Sequence, residues 1–201
     1  MKVMQLLPEL NSGGVERGTL EIARALVQAG HESVVVSHGG RLVAELEAQG
    51  SKHCSLAIHK KALSSLWQIA PLRALIEKEQ PDIVHVRSRV PAWLTHFALK
   101  GIPKAKRPHL ISTVHGFYSI NRYSQIMTQA EKVIAVSDSV VDYITQNYKN
   151  CPPQDIVRIY RGIDANAFPH SYMPSTEWQE QIWQDFPELK DKFLICLPGR
   201  I

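Results

Sequence analysis

Apolar residues along this chain follow two alternating rhythms. Short continuous apolar runs, rich in Val and Ile, fall at residues 2–7, 33–37, 53–58, 82–86, 110–114, 132–136 and 156–160. Runs of that length and composition predict strands, and their lack of an apolar–polar alternation predicts strands covered on both faces. Between them the period changes. Val15, Thr19, Ile22, Ala23 and Leu26 recur at helical spacing, with Gly30 placed to cap the helix end. Further helices are expected at 42–49, ended by Gly50, at 63–79, ended by Pro81, and at 92–99, stopped by Gly101 and Pro103. Two more are expected at 123–130 and from an N-cap at Ser137-Asp138 through Asn147. Strand–helix alternation sustained in this way predicts an α/β fold built on a doubly wound parallel sheet, Rossmann-like in organisation.

The pattern breaks after residue 168. Pro169 and Pro174 bracket a linker, after which 176–185 has a helical pattern carrying Trp178 and Trp183. Residues 193–197 then have the pattern of a buried strand. A strand that opens a new βα unit so near Ile201 predicts a larger protein from which this chain is cut. The expected organisation is a first domain at 1–168, a linker at 169–192 and the first strand of a second domain at 193–201. No internal repeat, coiled coil or low-complexity tract interrupts the reading.

Composition narrows the class without naming it. With 44% hydrophobic and 21% charged residues in 201, the chain is globular. The net charge of +4 suits anionic small molecules or an acidic membrane surface and is too small to indicate nucleic acid. Cys54, Cys151 and Cys196 have no metal-ligand or redox spacing, and Cys54 and Cys196 lie in apolar runs that suggest small core residues. An odd cysteine count and a start without a signal-like apolar stretch predict a reducing, cytoplasmic setting. No apolar run reaches the length of a membrane span, so any membrane contact is expected to be peripheral.

In an open α/β sheet, ligands lie beyond the carboxyl ends of the strands. Candidate chemistry is therefore sought there. After the first strand, Gly13-Gly14-Val15-Glu16-Arg17 leads into a helix. Paired glycines let a ligand approach the backbone and leave the first helix N–H groups free for an anion or hydroxyl. The spacing is neither a dinucleotide fingerprint nor a P-loop, and a plain turn with Glu16 and Arg17 as a surface pair reads equally well. The fourth strand leads to His85-Val86-Arg87-Ser88-Arg89 and the fifth to His115-Gly116. Ser137-Asp138 after the sixth reads first as a cap. No nucleophile elbow, zinc-binding H-E-x-x-H, acidic metal cluster or pair of carboxylates stands at a common strand end.

These same segments resemble a known family. SGGVERGTLEIARAL from Ser12, PDIVHVRS from Pro81, STVHGFY from Ser112 and VIAVSDSVVDYI from Val133 resemble the retaining GT-B glycosyltransferases of family four. That family includes bacterial lipopolysaccharide-core and exopolysaccharide transferases. RIYRGIDANAF from Arg158 is similar to its hinge signature, and LPGRI from Leu197 to the opening of its second domain. The resemblance implies the N-terminal, acceptor-side half of a GT-B enzyme of hexosyl-transferring type, with a nucleotide-sugar donor and no cofactor or metal. It implies a saccharide or lipid-linked acceptor, an anionic membrane surface as a further partner, and a cytoplasmic enzyme peripheral to the inner face of the membrane.

By position, the resemblance sets Gly13 and Gly14 near the donor phosphates and the acceptor hydroxyl. It sets His115, with Gly116, at the donor sugar, and Ser137 and Asp138 along the acceptor cleft. Glu16, Arg17 and Arg87 join them as substrate-binding candidates, and Arg200 matches a donor-phosphate arginine. Two departures stand out. Arg161 replaces the Asn expected before Gly162 in the hinge signature, and Arg87 and Arg89 replace small or aromatic residues, which would suit an anionic acceptor. Lys100, Lys104, Lys106 and Arg107 form a basic group that fits either a solvated loop or a membrane-facing patch. Two competing readings are a sugar-nucleotide epimerase of the same architecture, which would need carboxylates in the cleft, and a stand-alone binding module.

Overall fold

The computed structural model describes residues 1–196. They fall into two compact units, the first Met1–Arg161 and the second beginning at Gly162. In the first unit, β1 (Lys2–Leu6), β2 (Glu32–Ser37), β3 (Lys52–Ser55), β4 (Ile83–Val86), β5 (His109–Val114), β6 (Lys132–Ala135) and β7 (Ile156–Arg158) form one sheet. Its order is β3-β2-β1-β4-β5-β6-β7 and every pairing is parallel. The chain reverses its direction of winding between β1 and β4. That junction is the switch point, where the loops leaving two adjacent strands diverge and open a crevice. Leu6 pairs with both Val36 and Val86, so the carboxyl ends of the three inner strands are level.

Both faces of the sheet are covered, as the continuous apolar runs predict. On β2, Val34 and Val36 join the larger core with Met4, Leu6, Val84 and Val86, while Val35 joins a second core with Leu20, Ala23 and Leu46. The period-two alternation is present, with both faces apolar. The covering helices are α1 (Gly14–Gln28), α2 (Val43–Ala48), α3 (Ile69–Glu79), α4 (Arg89–Lys100) and α5 (Asp138–Asn147). No helix among the described residues is long and apolar enough to cross a membrane.

Three elements differ from expectation. The helix expected over 63–79 is a 3-10 helix at Leu63–Gln68 followed by α3. Pro71 explains the break: it lacks an N–H, and its ring would collide with the carbonyl four residues back, so it is accepted only in a helix's first turn. The helix expected over 123–130 is a 3-10 helix at Ser124–Thr128, held by a hydrogen bond from Thr128 Oγ1 to the Gln125 carbonyl. The third strand, expected over 53–58, ends at Ser55 because its sole neighbour β2 ends at Ser37. Ile58 still packs into the core.

In the second unit, α6 (Thr176–Asp185) forms where expected, with Ser175 Oγ accepting from the Trp178 N–H. The strand expected at 193–197 does not form over residues 193–196, where Phe193 is 92% and Ile195 88% exposed. An apolar run takes strand geometry when a neighbour accepts its backbone hydrogen bonds, and none does so among the described residues. Cys196 is correspondingly exposed instead of buried, while Cys54 is half-buried. Leu197 and the segment through Ile201, including Arg200, lie outside the described residues.

One loop position is dictated by sterics. Gly40 has φ of +142°, and a Cβ there would stand 2.5 Å from the Leu10 carbonyl carbon. Backbone cannot yield as a side-chain tip can. Gly40→Ala is therefore expected to lower unfolding free energy by about 2–4 kcal/mol in urea titrations. Gly162→Ala, where the added methyl meets nothing within 4 Å, is expected to change it by less than about 0.5 kcal/mol.

Candidate functional site

The loops leaving β1, β4 and β5 enclose a cavity of about 230 Å³ at the carboxyl edge. Its lining includes Glu16, Arg87, Ser88, Arg89, His115 and Tyr118. Each gets there by the fold. Arg87 and Ser88 follow β4, His115 follows β5, and Glu16 lies in the first turn of α1 beside the switch point.

Gly13 is the residue before α1, with φ of +145°, a conformation essentially reserved for glycine. No side chain caps the helix. Its first N–H groups have no partner within the helix, so they present positive charge towards the crevice. Arg161 reaches the same turn, its guanidinium donating to the Gly14 carbonyl. Gly18, one turn further on, has no side chain where the Arg161 and Arg87 guanidinium groups crowd its Cα. A Cβ there would force the Arg161 guanidinium to shift and would stand 3.2 Å from Arg87 Nη2.

Arg87 is only 3% exposed. It donates to Gln5 Oε1 at 3.2 Å, and Gln5 Nε2 donates to the Thr19 carbonyl at 3.2 Å, which ties β4, β1 and α1 together under the cavity. Burial, with Arg161 alongside, pushes the Arg87 guanidinium down to about 10, so it stays charged at neutral pH. Its Nε has no hydrogen-bond partner. A buried cation held by one neutral amide is under-compensated, and an anion entering the cavity would relieve it.

His115 sits beside it with both ring nitrogens buried and unpartnered. Burial first, then Arg87 and Arg161, push its imidazole down to about 3, so the ring is neutral at physiological pH. It is held from its backbone, whose N–H donates to Tyr118 Oη at 3.4 Å, while Tyr143 Oη donates to the Tyr118 carbonyl at 2.7 Å. Gly116 leaves open space next to it. Beneath, His85 Nε2 and Thr113 Oγ1 share a hydrogen bond at 2.7 Å, and burial pushes His85 down to about 3 as well. Because Arg161 helps hold His115 neutral, Arg161→Met is expected to raise the His115 midpoint in an NMR titration, with His109, whose partner is Glu131, unmoved.

The fold thus gathers Gly13, Gly14, Glu16, Arg87, His115 and Gly116 at one crevice. It does not bring Arg17, Ser137 or Asp138 into the cavity lining. Arg17 turns to α2 and is taken up by both carboxylate oxygens of Glu45, at 3.1 and 3.0 Å. Ser137 Oγ accepts from the Val140 N–H as the cap of α5. Asp138 pairs with Arg158 and accepts from Tyr160 Oη at 2.6 Å. The expectation passed over Gln5, Tyr118 and Arg161. Arg161 was visible only as a departure from the hinge signature, since 147 residues separate it from Gly14. Among the described residues, no group of three or more His, Cys, Asp or Glu side chains could hold a metal ion.

The seven-stranded parallel sheet, flanked by helices, has the fold of the N-terminal domain of GT-B enzymes, here with an uncapped helix N-terminus, the buried Arg87 and a neutral histidine at its switch point. Residues 12–167 match the family model Glycosyltransferase Family 4, and the chain belongs to that family. A crystal structure of a glycosyltransferase from Rickettsia africae ESF-5 is 34% identical with a TM-score of 0.74, covering 92% of this chain and 49% of that one. HepE from Anabaena, solved in complex with UDP-glucose, is 18% identical with a TM-score of 0.70, covering 94% and 50%. The lipopolysaccharide outer core galactosyltransferase WaaB, in its apo form, is 16% identical with a TM-score of 0.64, covering 82% and 46%. The chain therefore spans about half the length of these structures. No curated protein sequence matches it.

Proposed function

We propose that this chain is the acceptor-side half of a sugar-nucleotide-dependent transferase that moves a hexosyl group with retention of configuration. Its acceptor is a saccharide or a lipid-linked saccharide of the cell envelope, and the enzyme works in the cytoplasm at the inner face of the membrane. The observation that carries the reading is His115: a neutral, unpartnered imidazole facing a cavity beside an uncapped helix N-terminus and two arginines. Family membership and the UDP-glucose bound by HepE support a nucleotide-sugar donor.

The chemistry follows from what these groups can do. The bond from the anomeric carbon to the donor diphosphate breaks while a bond to the acceptor oxygen forms on the same face. The acceptor proton passes to the departing phosphate oxygen. No protein nucleophile is required. Charge growing on the leaving group is met by the α1 N-terminus with Arg87 and Arg161, preorganised before the reaction. A neutral His115 can hydrogen-bond a sugar hydroxyl and, being uncharged, does not repel the positive charge that develops on the sugar ring. The second domain, beginning near 193–201 in this reading, grips the nucleotide, and the 201-residue chain alone binds donor weakly and turns over nothing.

The test is a nucleotide-sugar hydrolysis screen on the complete protein. Release of nucleotide diphosphate from at least one sugar donor, dependent on His115, is expected. Hydrolysis of none, or robust transfer by the isolated chain, would overturn the reading.

A further inference from the structure

Gln5 is a polar side chain where the core asks for an apolar one. It is 0% exposed and stands between Met4 and Leu6, which are fully buried as well. It is level with Val35 of β2 and His85 of β4, on the sheet face that α1 covers with Leu20 and Ala23. A Leu or Met there would bury apolar surface with no amide to satisfy. Gln5 is kept by its two hydrogen bonds, from Arg87 and to the Thr19 carbonyl, and together they fix its amide. The end that meets a guanidinium must accept and the end that meets a carbonyl must donate, so Oε1 faces Arg87 and Nε2 faces Thr19. An ionised glutamate could make the first bond and not the second.

Arg87 owes both its direction and its free charge to that amide. Strand alternation puts Arg87 on the same face as His85 and Gln5. Its backbone N–H donates to the Leu6 carbonyl at 3.0 Å, so the ladder holds the chain as far as the crevice. The side chain then reaches back to Gln5, and its Nε stays unpartnered. The charged groups that act on it are Arg161 and, on α1, Glu21, with the neutral rings of His85 and His115 alongside. Among the described residues no carboxylate forms an ion pair with Arg87, Glu21 included.

We propose that Gln5 is a positioning residue of the anion site: it aims the Arg87 guanidinium at the crevice and, being neutral, leaves the positive charge uncancelled for a ligand's phosphate. The inference rests on the donor reading above, which supplies that phosphate. A carboxylate in the same place would answer the guanidinium inside the protein, and an entering phosphate would meet a neutral pair. An apolar side chain would leave the charge but let the guanidinium swing, so part of the binding would be lost to ordering it. The amide does what neither alternative does. It orders the cation without neutralising it, and its second bond ties that order to α1, whose uncapped N-terminus faces the same crevice.

The experiment reads binding and needs no turnover. Inorganic pyrophosphate is titrated calorimetrically into the complete protein, wild type beside Q5E, Q5M, R87M, Q5E/R87M and Q5M/R87M, with circular dichroism to follow folding. Q5E is expected to weaken pyrophosphate at least about tenfold. Q5M, which removes the amide and adds no charge, is expected to weaken it about threefold. Both losses are expected to vanish on the R87M background, because each acts through Arg87. A Gln5 that merely fills the core would cost wild type and R87M alike. Wild-type affinity in Q5E, equal losses in Q5E and Q5M, or losses that persist on R87M would overturn the inference, as would a wild type that does not bind pyrophosphate. If Q5E does not fold, the cycle of Q5M and R87M decides by itself: a loss confined to the Arg87 background supports the role, and an equal loss on both overturns it. Lack of nucleotide-sugar hydrolysis by the complete protein would remove the transferase reading yet leave this coupling standing. Absence of coupling would remove the role of Gln5 and leave the transferase reading intact.

Discussion

His115→Ala should lower sugar transfer by the complete enzyme by about 10²–10³-fold, with most of the loss in kcat, the usual cost of removing one preorganised polar group aimed at a transition state. The reason is local. Both ring nitrogens are buried without a partner in the free protein, so their hydrogen-bonding capacity is held ready for a ligand. The fold gains nothing from them, and the variant should unfold no earlier than the wild type. That separation is diagnostic: a structural histidine would lose stability with activity. The low midpoint, about 3, adds a second signature. His115 changes charge far below working pH, so it contributes no limb near pH 6.5 to the kcat profile. Steady-state kinetics across pH 5 to 9 on both proteins would show the effect.

Acid should unfold the domain earlier than its carboxylates alone require. His85 and His115 are both pushed down to about 3 in the folded state, first by burial and then by neighbouring cations. Unfolded, each takes up a proton near 6.5. A depressed histidine therefore contributes stability that is whole above about pH 6.5 and is lost as pH falls towards 3, because the unfolded chain holds the extra proton throughout that window. Each group contributes about 1.4 kcal/mol per pH unit there, so the pair should remove about 4 kcal/mol between pH 7 and pH 5. That is a large share of a domain's total stability. His109 runs the other way, raised by Glu131, but it is exposed, and solvent screens its effect. Urea titrations at half-unit pH intervals measure the slope. His85→Gln, whose amide can still meet Thr113 Oγ1, should reduce it by about half.

The parts of the fold that read easily from the sequence are those governed by local periodicity. The inner strands β1, β2, β4, β5 and β6 are continuous apolar runs, and the sheet buries them on both sides, so pattern and structure coincide. The edges were harder. β3 and β7 have one neighbour each, so their length is set by where that neighbour stops, which no window of sequence reveals. Pro71 lies in plain view within 63–79, yet an apolar period running across it hides the change from 3-10 to α-helix. The apolar run at 193–196 shows that hydrophobicity permits a strand and does not compel one.

The site was legible in the same proportion. A rule about strand ends finds Gly13, Gly14, Arg87 and His115 because the parallel sheet delivers every strand's carboxyl end to one edge. It cannot tell which neighbours turn inward. Arg17 stands only three residues after Gly14, yet a helix places successive side chains about 100° apart, and Arg17 meets Glu45 of α2. Arg161 is remote in sequence and arrives only because the chain returns to the crevice after β7. Gln5 carries no motif, and Tyr118 stands at the end of STVHGFY with nothing in the sequence to mark its role. One steadies His115 and the other anchors Arg87, roles that depend wholly on packing.

The central claim is that the crevice at the β1–β4 switch point receives the reacting sugar. A crystal structure of the complete protein with a non-hydrolysable nucleotide-sugar analogue tests it most directly. The account predicts a ring nitrogen of His115 within about 2.6–3.2 Å of a donor-sugar oxygen, with donor phosphate oxygens facing Gly13, Gly14 and the Arg87–Arg161 pair. A donor sugar seated elsewhere, with His115 still unpartnered and the crevice holding only water, would contradict it.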